Sequence, residues 1–463
     1  MAFIFYDTET TGIDRHFDQI LQFAAIRTDE EFNEIDRIER RCRLRPFAIP
    51  APGALAVTGV SIEQCLNATH PTYYEMVSEL QSALSEWSPS VFAGWNTIRF
   101  DEELFRQALY QNLYPPFLTN TNGNARADIL TLAQAVALDL PDALIVPRNP
   151  RGRPSFKLDQ LAPANGFAHE NAHDAIADVE ATIFIARLLR ERAPEHWSNL
   201  MRFANKRSTI AFLQTEPFVV ATEAYFGKLS QYALAPIGSN PDIDSEFYCL
   251  DITNDPVSLG SLSDAALRAL LLRSPKPVRR IKANQSPSLK SWEEIDSFSG
   301  LDVDELLDRA EALQRDEDLK NRLLQTALEL ASVEYEQIHI EQQIYGGFPS
   351  KADQQLMDRF HRAPWTEREA VVAQFGDPRL RELGRRLLGE HAHDICSTEV
   401  RDYFQTLLHA RLTGSGSDVP WRTIAKAREE LEEASQTHPQ ASAILEGFER
   451  YLDGLEERVA SGC

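Results

Sequence analysis

Residues 3–10 read FIFYDTET, a run of four apolar side chains that ends in alternating carboxylates. Such a short apolar run is typical of a buried β-strand. Alternate residues on a strand point to the same face, so Asp7 and Glu9 are expected to project together. Sites in α/β domains usually lie at the carboxyl ends of strands. The segment therefore predicts a buried strand with a functional site at its end.

The sequence around this strand predicts three structural units. Within residues 1–200, further strands are predicted at 20–28, 41–45 and 90–94, and helices at 73–87, 102–110, 129–137 and 174–192. Mixed strands and helices of this kind indicate an α/β layer domain. Within residues 201–350, short β-like segments at 217–221, 232–235 and 246–250 are separated by Gly, Asn, Asp and Pro, which indicates a small β-rich unit. Helical periodicity dominates from Val303 onward, and residues 351–463 are predicted to form an all-helical domain.

The composition limits the class of protein. The 463-residue chain carries a net charge of −23, which argues against coating nucleic acid by bulk electrostatics but allows a locally basic groove for a single strand. Candidate groove cations are Lys206 with Arg207, and the basic run RSPKPVRRIK at residues 273–282. The five scattered cysteines contain no CxxC pair, and no apolar run approaches a membrane span, so a reduced cytosolic location without a membrane partner is expected.

Three further acidic or basic positions give the first strand a chemical context. Asp101 follows the predicted strand at 90–94, and by itself it would be interpreted as a helix N-cap. His173 and Asp178 flank the start of the predicted helix at 174–192. Four carboxylates and a histidine are what two-metal phosphoryl transfer requires, with the histidine positioned to accept a proton from the attacking water. Mg²⁺ prefers such carboxylate oxygens together with substrate phosphate.

The same residues resemble a known family. DTETTG (residues 7–12), NTIRFD (96–101) and HDAIAD (173–178) are similar to the three motifs of the DEDDh, or DnaQ-like, superfamily of 3′→5′ exonucleases. The histidine variant is indicated because His173 lies five residues before Asp178. Residues 154–183 and the segment QIYGGF (343–348) more closely resemble the bacterial exonuclease I family, and this resemblance covers essentially the whole chain.

The resemblance implies a fold, a metal site and a reaction. It implies a ribonuclease-H-like nuclease domain over residues 1–200, a small SH3-like domain over 201–350 and a helical domain over 351–463. It further implies hydrolysis of single-stranded DNA from the 3′ end with two Mg²⁺ ions, for which Mn²⁺ would substitute, in DNA repair and recombination. The implied metal ligands are Asp7, Glu9, Asp101 and Asp178, and the implied general base is His173.

The resemblance also implies substrate contacts and partners. The expected substrate-binding residues, with Lys206 taken from the basic pair described above, are Glu9, Thr10, Arg106, Phe117, Lys157 and Lys206. Single-stranded DNA and the acidic tail of the single-stranded-DNA-binding protein are the implied partners of a monomeric protein in the bacterial cytoplasm. Leu118 and Gln134 stand where the family has an aromatic and a basic residue, so the grip on the strand is expected to differ there.

Two alternatives stay open from the sequence. One is an RNA-trimming or proofreading DEDDh exonuclease, although such enzymes are usually short single domains or polymerase partners. The other is a single-strand-binding adaptor whose nuclease fold is catalytically weak or inactive. The presence of all four carboxylates and His173 argues against the adaptor.

Overall fold

A computed structural model describes residues 1–168, 174–225, 228–331, 339–415 and 419–461. The strands are β1 Phe3–Thr10, β2 Ile20–Thr28, β3 Glu34–Arg41, β4 Val91–Gly94, β5 Ala125–Asp128, β6 Val219–Tyr225, β7 Lys228–Ser239, β8 Glu246–Asp251, β9 Val278–Lys282, β10 Leu289–Ser291, β11 Ser297–Phe298 and β12 Leu301–Asp302. The helices up to residue 215 are α1 Pro52–Thr58, α2 Ile62–Cys65, α3 Tyr73–Glu86, α4 Asp101–Gln111, α5 Ile129–Asp139, α6 Leu158–Ala164, α7 Ala175–Arg192, α8 Pro194–Phe203 and α9 Lys206–Thr215.

The first domain is a five-stranded mixed sheet with helices on both faces. The strand order is β3-β2-β1-β4-β5, in which β1 pairs antiparallel with β2 and parallel with β4. One face packs against α5 to α8, and the other packs against α3 and α4. Because β1 is central and covered on both sides, its apolar residues Phe3 to Tyr6 are all buried. The predicted α/β nuclease fold is confirmed. The carboxyl end of β1 lies at the centre of the sheet, with two strands on either side.

The middle unit is a second, antiparallel sheet in the order β10-β6-β7-β8-β9. Its helices are α10 Pro256–Gly260, α11 Asp264–Leu271, α12 Val303–Arg315 and α13 Glu317–Ala331. These helices share an apolar cluster with β6, β7 and β8, whereas α9 packs on the other face of the sheet. The predicted β-rich character is confirmed, while the closer likeness to an SH3 barrel stays a prediction.

The last unit is helical, as predicted. Its helices are α14 Lys351–Arg362, α15 Trp365–Val372, α16 Pro378–His391, α17 Thr398–Thr413, α18 Ile424–Thr437 and α19 Ser442–Ser461. The short 3₁₀ segment Ile340–Tyr345 packs with these helices, because Ile340 and Ile344 share a cluster with Met357 and Phe360. Helical and nuclease units also share two apolar clusters, so their packing is continuous.

One strand prediction was wrong. Residues 41–45 alternate in polarity but form no strand beyond Arg41, and the third strand is β3, which ends there. The backbone N–H groups of Cys42, Arg43 and Leu44 donate to three separate segments, the carbonyl oxygens of Leu21, Pro71 and Cys65. A β-strand needs one continuous neighbouring strand for its backbone hydrogen bonds, and residues 42–44 have none. The true strand is a charged, exposed edge strand, whose composition hid it from pattern analysis.

Among the described residues, no helix is both long enough and apolar enough to cross a membrane.

Candidate active site

The end of β1 and the first turn of α7 bring three carboxylates together. One carboxylate oxygen from each of Asp7, Glu9 and Asp178 lies within 4.8 Å of the others. Asp7 and Glu9 share a face of the strand, as the alternation predicted, and Asp178 approaches from the helix that crosses the sheet. The structure therefore gathers residues that are about 170 positions apart in the chain.

Asp174 fixes the start of α7. Its side chain accepts a hydrogen bond from the backbone N–H of Ile176, which caps the helix. The same carboxylate pairs with Arg41 at 2.9 Å and accepts a bond from the Gln22 side chain at 3.3 Å. Because Arg41 and Gln22 belong to the sheet, these contacts hold the first turn, and with it Asp178, against the strands. The capping role of Asp174 was not among the predictions, although an Asp before an apolar helix is a recognisable capping signal.

Asp101 joins the site through Thr8. Its Oδ1 accepts one bond from the Thr8 hydroxyl at 2.5 Å and another from the Thr8 backbone N–H at 3.1 Å. Asp101 is the first residue of α4, and the residue before it, Phe100, makes no side-chain cap. The simple N-cap interpretation is therefore wrong, since the carboxylate reaches across to β1 instead of closing its own helix.

Asp128 supports the segment that leads to Asp101. Its carboxylate accepts bonds from the backbone N–H groups of Asn96 at 3.1 Å, Ile98 at 3.3 Å and Leu130 at 3.0 Å. Asn96 adopts a left-handed backbone conformation with φ of 63°, which turns the chain from β4 into α4. The buried Asp128 thus fixes the geometry of this turn. This role is not evident from the sequence, because Asn96 and Ile98 follow a different strand from the one that Asp128 ends.

Crowding of these acids changes their protonation. Burial, followed by the charge of Asp101, raises the pKa of Asp7 well above its ordinary value. Burial and the neighbouring charges of Asp178 and Asp101 raise the pKa of Glu9 to about 8, opposed by Arg41. Burial raises the pKa of Asp101 to about 7 against the lowering effect of its bond from Thr8. The site therefore holds its full negative charge only with a compensating cation.

The donor set fits a hard divalent cation. All three clustered groups offer carboxylate oxygens, and no softer sulfur or imidazole ligand joins them among the described residues. Mg²⁺ binds such oxygens at about 2.0–2.1 Å, which places opposite ligands about 4.2 Å apart. Oxygens of Asp7, Glu9 and Asp178 that lie within 4.8 Å of one another are therefore close enough to share one such ion.

The remaining predicted residues near the reaction centre have different surroundings. Thr10 is half-buried, and its hydroxyl donates to the carbonyl oxygen of Gly12 at 2.6 Å. Gly12 is required because a Cβ at that position would lie 2.5 Å from an Asp18 carboxylate oxygen. Lys157 is exposed at the start of α6. His173 lies outside the described residues.

Arg106, predicted to touch the strand, is largely buried in a polar network. It pairs with the fully buried Glu102 at 2.8 Å and with Glu103 at 3.3 Å, and it donates to the Tyr345 hydroxyl at 3.1 Å. Its guanidinium also lies over the Phe117 ring, 5.2 Å from the ring centre. Arg106 thus joins the nuclease and helical units, which the sequence did not indicate, and its contact with substrate stays a prediction. Phe117 is half-buried against Phe348, whose side chain is 81% exposed.

The predicted groove cations are mostly neutralised. Lys206 pairs with Asp244 at 2.7 Å. Within the run at residues 273–282, Arg279 pairs with Glu223 at 2.5 Å, and Arg280 lies 3.3 Å from Glu246. Part of this run is strand β9, and its cations pair with carboxylates of the same sheet: Arg279 with Glu223 of β6, and Arg280 and Lys282 with Glu246 of β8. The contacts therefore do not support a free basic track along β9, whereas a role of Arg273 and Lys276 in the groove stays a prediction.

Comparisons with known proteins agree with this geometry. A family described as "Exonuclease" matches residues 4–186, which contain all four predicted carboxylate ligands. A second family, described as "Exonuclease I C-terminal domain", matches residues 338–455. The second match includes the 3₁₀ segment that packs with the helical unit.

Individual relatives match nearly the full length. The exodeoxyribonuclease I of Escherichia coli K12 is 30% identical over 403 residues, which cover 82% of this chain and 84% of the relative. That of Haemophilus influenzae is 29% identical over 406 residues, with 82% and 84% covered. Among solved structures, E. coli exonuclease I in complex with a dA16 oligonucleotide gives a TM-score of 0.85 at 26% identity, covering 98% of this chain and 99% of that one. A zinc-bound form of the E. coli enzyme with single-stranded DNA gives 0.83 at 26% identity, with the same coverage.

Proposed function

This chain belongs to the exonuclease I family, and we propose that it removes nucleotides from the 3′ end of single-stranded DNA and releases 5′-mononucleotides. The observation that supports this proposal most directly is the site geometry. Carboxylate oxygens of Asp7, Glu9 and Asp178 lie within 4.8 Å of one another, and Thr8 holds the Asp101 carboxylate beside them. Full-length similarity to exodeoxyribonucleases I supports a nuclease, and the solved complexes of relatives with oligonucleotides support a single-stranded substrate. A role in DNA repair and recombination follows from the same resemblance.

Divalent-metal dependence belongs to this proposal, with Mg²⁺ as the working ion and Mn²⁺ as its substitute. When bound, a pair of such cations polarises the scissile phosphate and favours ionisation of the attacking water. In this chain Asp7, Glu9, Asp101 and Asp178 would hold them, and the raised pKa values of Asp7, Glu9 and Asp101 mark a site that lacks positive charge. The Thr8 bond keeps one oxygen of Asp101 in place, so the carboxylate needs little reorganisation to bind.

His173 is assigned the role of general base, which accepts the proton of the attacking water. This assignment rests on the HDAIAD motif, in which the histidine lies five residues before Asp178. A histidine has a reference pKa of about 6.5 and can accept a proton near neutral pH. General-base assistance of this kind is typically worth about 10²–10⁴-fold in rate.

The strand contacts and partners are also proposals. We assign Glu9, Thr10 and Lys157 to the 3′-terminal nucleotide, and Phe117 with Arg106 to the strand beyond it. Phe117 has an aromatic neighbour, Phe348, whose exposed ring suits base stacking. The Lys206 ammonium group can leave Asp244 and bind a phosphate at little cost, because the ion pair is exposed to solvent. The acidic tail of the single-stranded-DNA-binding protein is the proposed protein partner of a monomeric enzyme.

A digestion experiment tests this function against its two alternatives. End-labelled single-stranded DNA, duplex DNA and RNA are incubated with the enzyme and Mg²⁺, and the products are resolved by length. Stepwise 3′ shortening of the single-stranded DNA to mononucleotides is expected. Equal or faster loss of RNA would favour an RNA-trimming enzyme, and binding without cleavage would favour an adaptor. An Asp178→Asn variant is the matched control, since a contaminating nuclease would survive that change.

A further inference from the structure

One fully buried carboxylate, Glu102, lies in the first turn of α4, directly after Asp101. Four side chains bond or pair with its two oxygens: Thr119 at 2.6 Å, Arg106 at 2.8 Å, Arg126 at 2.9 Å and Tyr6 at 3.0 Å. A carboxylate that is removed from water is stable only when it is paired and hydrogen-bonded, so these contacts fix its position. Because Glu102 and Asp101 share a peptide bond, the same contacts hold the backbone from which the Asp101 carboxylate projects.

The contact with Tyr6 ties Glu102 to β1. The Tyr6 hydroxyl donates to Glu102 Oε2 at 3.0 Å. Two residues further along the same face of the strand, Thr8 donates to Asp101. Consecutive residues of α4 are thus bonded to alternate residues of β1, whereas Asp7 projects from the opposite face of the strand into the carboxylate cluster. The two bonds together hold the first turn of α4 against the strand that carries the cluster.

The two arginines that contact Glu102 extend to the other two units. Arg126, on β5, also donates to the carbonyl oxygen of Asn284 in the middle unit. Arg106 donates at 3.1 Å to the hydroxyl of Tyr345, in the 3₁₀ segment that packs with the helical unit. Both arginines are buried. Glu102 is therefore a point at which the nuclease domain, the middle unit and the helical unit are joined by one connected set of polar contacts.

We propose that Glu102 is a positioning residue for the metal site. It holds the first turn of α4 against β1, and through Arg106 it makes the placement of Asp101 depend on the seating of the helical unit. The inference rests on the proposed function, because Asp101 is one of the proposed metal ligands. Partners that orient metal ligands raise metal affinity, so the affinity for a divalent cation should respond to the Tyr345 hydroxyl, which belongs to another unit.

The test removes single hydroxyl groups, because replacing Glu102 itself would leave two buried arginines without their partner and endanger folding. Tyr6→Phe removes the donor that links Glu102 to β1. Its matched control is Thr119→Val, which removes a donor to the same carboxylate from a residue outside β1 and nearly preserves the side-chain shape. Each variant loses one bond to the same charged acceptor, so both should lower the urea midpoint to a similar extent.

Mn²⁺ affinity, measured by isothermal titration without DNA, distinguishes positioning from a purely structural role. Tyr6→Phe should lower the affinity about 10-fold, the lower end of the range for partners that orient metal ligands, and Thr119→Val should lower it less than about two-fold. A purely structural Glu102 would make the two variants alike. Equal Mn²⁺ affinities in this pair would therefore refute the positioning role.

A second matched pair tests the dependence on the helical unit. Tyr345→Phe removes the hydroxyl that accepts a bond from Arg106. Its control, Tyr110→Phe, removes a hydroxyl that also joins α4 to the 3₁₀ segment, but by donating at 3.1 Å to the backbone carbonyl oxygen of Ile340. Tyr345→Phe should lower Mn²⁺ affinity about two- to five-fold, a typical effect of one residue in such a network, and Tyr110→Phe should leave it unchanged. Equal affinities in this pair would refute the dependence on the helical unit.

Cleavage of a single-stranded oligonucleotide separates failure of this inference from failure of the proposed function. At Mn²⁺ concentrations below the wild-type dissociation constant, the rate of Tyr6→Phe should fall by the same factor as its affinity, because metal occupancy then limits the reaction. Saturating Mn²⁺ should restore most of that rate. If wild-type enzyme binds no Mn²⁺ and cuts no strand, the proposed function fails and this inference fails with it. If wild-type enzyme does both but the members of each pair behave alike, the inference alone is refuted.

Discussion

Replacement of Thr8 by valine should weaken divalent-cation binding at neutral pH. The Thr8 hydroxyl donates to Asp101 Oδ1 at 2.5 Å, and both residues are buried, with 6% and 3% of their surface exposed. Valine has nearly the same shape, so the packing of β1 is kept while this donor is lost. The backbone N–H of Thr8 still donates to the same oxygen, which keeps Asp101 in place.

The magnitude follows from the lost bond. A hydrogen bond to a charged acceptor contributes about 1.5–3 kcal/mol, and one pKa unit corresponds to about 1.4 kcal/mol. The bond from Thr8 lowers the pKa of Asp101, which stands at about 7, so its removal raises that pKa. A rise of about one to two units leaves Asp101 protonated more often at pH 7, and a metal ion must then displace a proton. The apparent metal affinity at pH 7 should fall about 5- to 50-fold, and at pH 9 by no more than about two-fold.

Isothermal titration of Mn²⁺ into both proteins at pH 7 and pH 9 measures this effect. Thr8→Ser is the matched control, because serine keeps the hydroxyl donor and should stay close to wild type. Equal loss of affinity at both pH values would show that valine disturbs geometry instead of protonation. Wild-type affinity in the valine variant at pH 7 would refute a ligand role for Asp101.

Three further outcomes are expected. Asp7→Ala should abolish cleavage and keep single-strand binding within a few-fold, as measured by product release and fluorescence anisotropy; retained turnover would remove Asp7 from the metal site. Without divalent cations, the melting temperature should fall between pH 6 and pH 8. Glu9 and Asp101 have folded-state pKa values of about 8 and about 7, above their ordinary values of 4.5 and 3.8. Their stabilising contribution is therefore present at low pH and is lost as the pH rises through the folded-state values. Mg²⁺ should reverse that fall, and a flat profile in calorimetry would contradict the raised values. Arg106→Ala should lower the free energy of unfolding by about 1.5–3 kcal/mol in urea titrations, because it removes one of two arginines that pair with the buried Glu102 and leaves Arg126 at 2.9 Å, whereas the exposed Arg359→Ala should change it by less than about 0.5 kcal/mol.

Much of the nuclease site was accessible from local sequence patterns. The alternation of Asp7 and Glu9 at the end of an apolar run predicted both the strand and the shared direction of the carboxylates. Helical periodicity located α7 to within one residue at its start. These features are local, because strand alternation and helical periodicity involve residues only a few positions apart.

Other features depend on partners that are distant in the chain. The sequence around Arg106 does not show that Glu102 will neutralise it, and the sequence around Arg279 does not show the same for Glu223. Arginines in similar sequences occur both on solvated surfaces and in binding grooves. The true third strand, β3, was missed because pairing with β2, and not its own composition, makes it a strand.

The sequence alone predicted the chemistry of this protein: which acids and which histidine take part, and which secondary elements carry them. Tertiary structure decided the distances among those acids, the burial that raises the pKa of Asp101 against the opposing bond from Thr8, and which cations pair with carboxylates. The physical reason is that electrostatic energy depends on separation and burial, and both arise only when segments far apart in the chain are packed together.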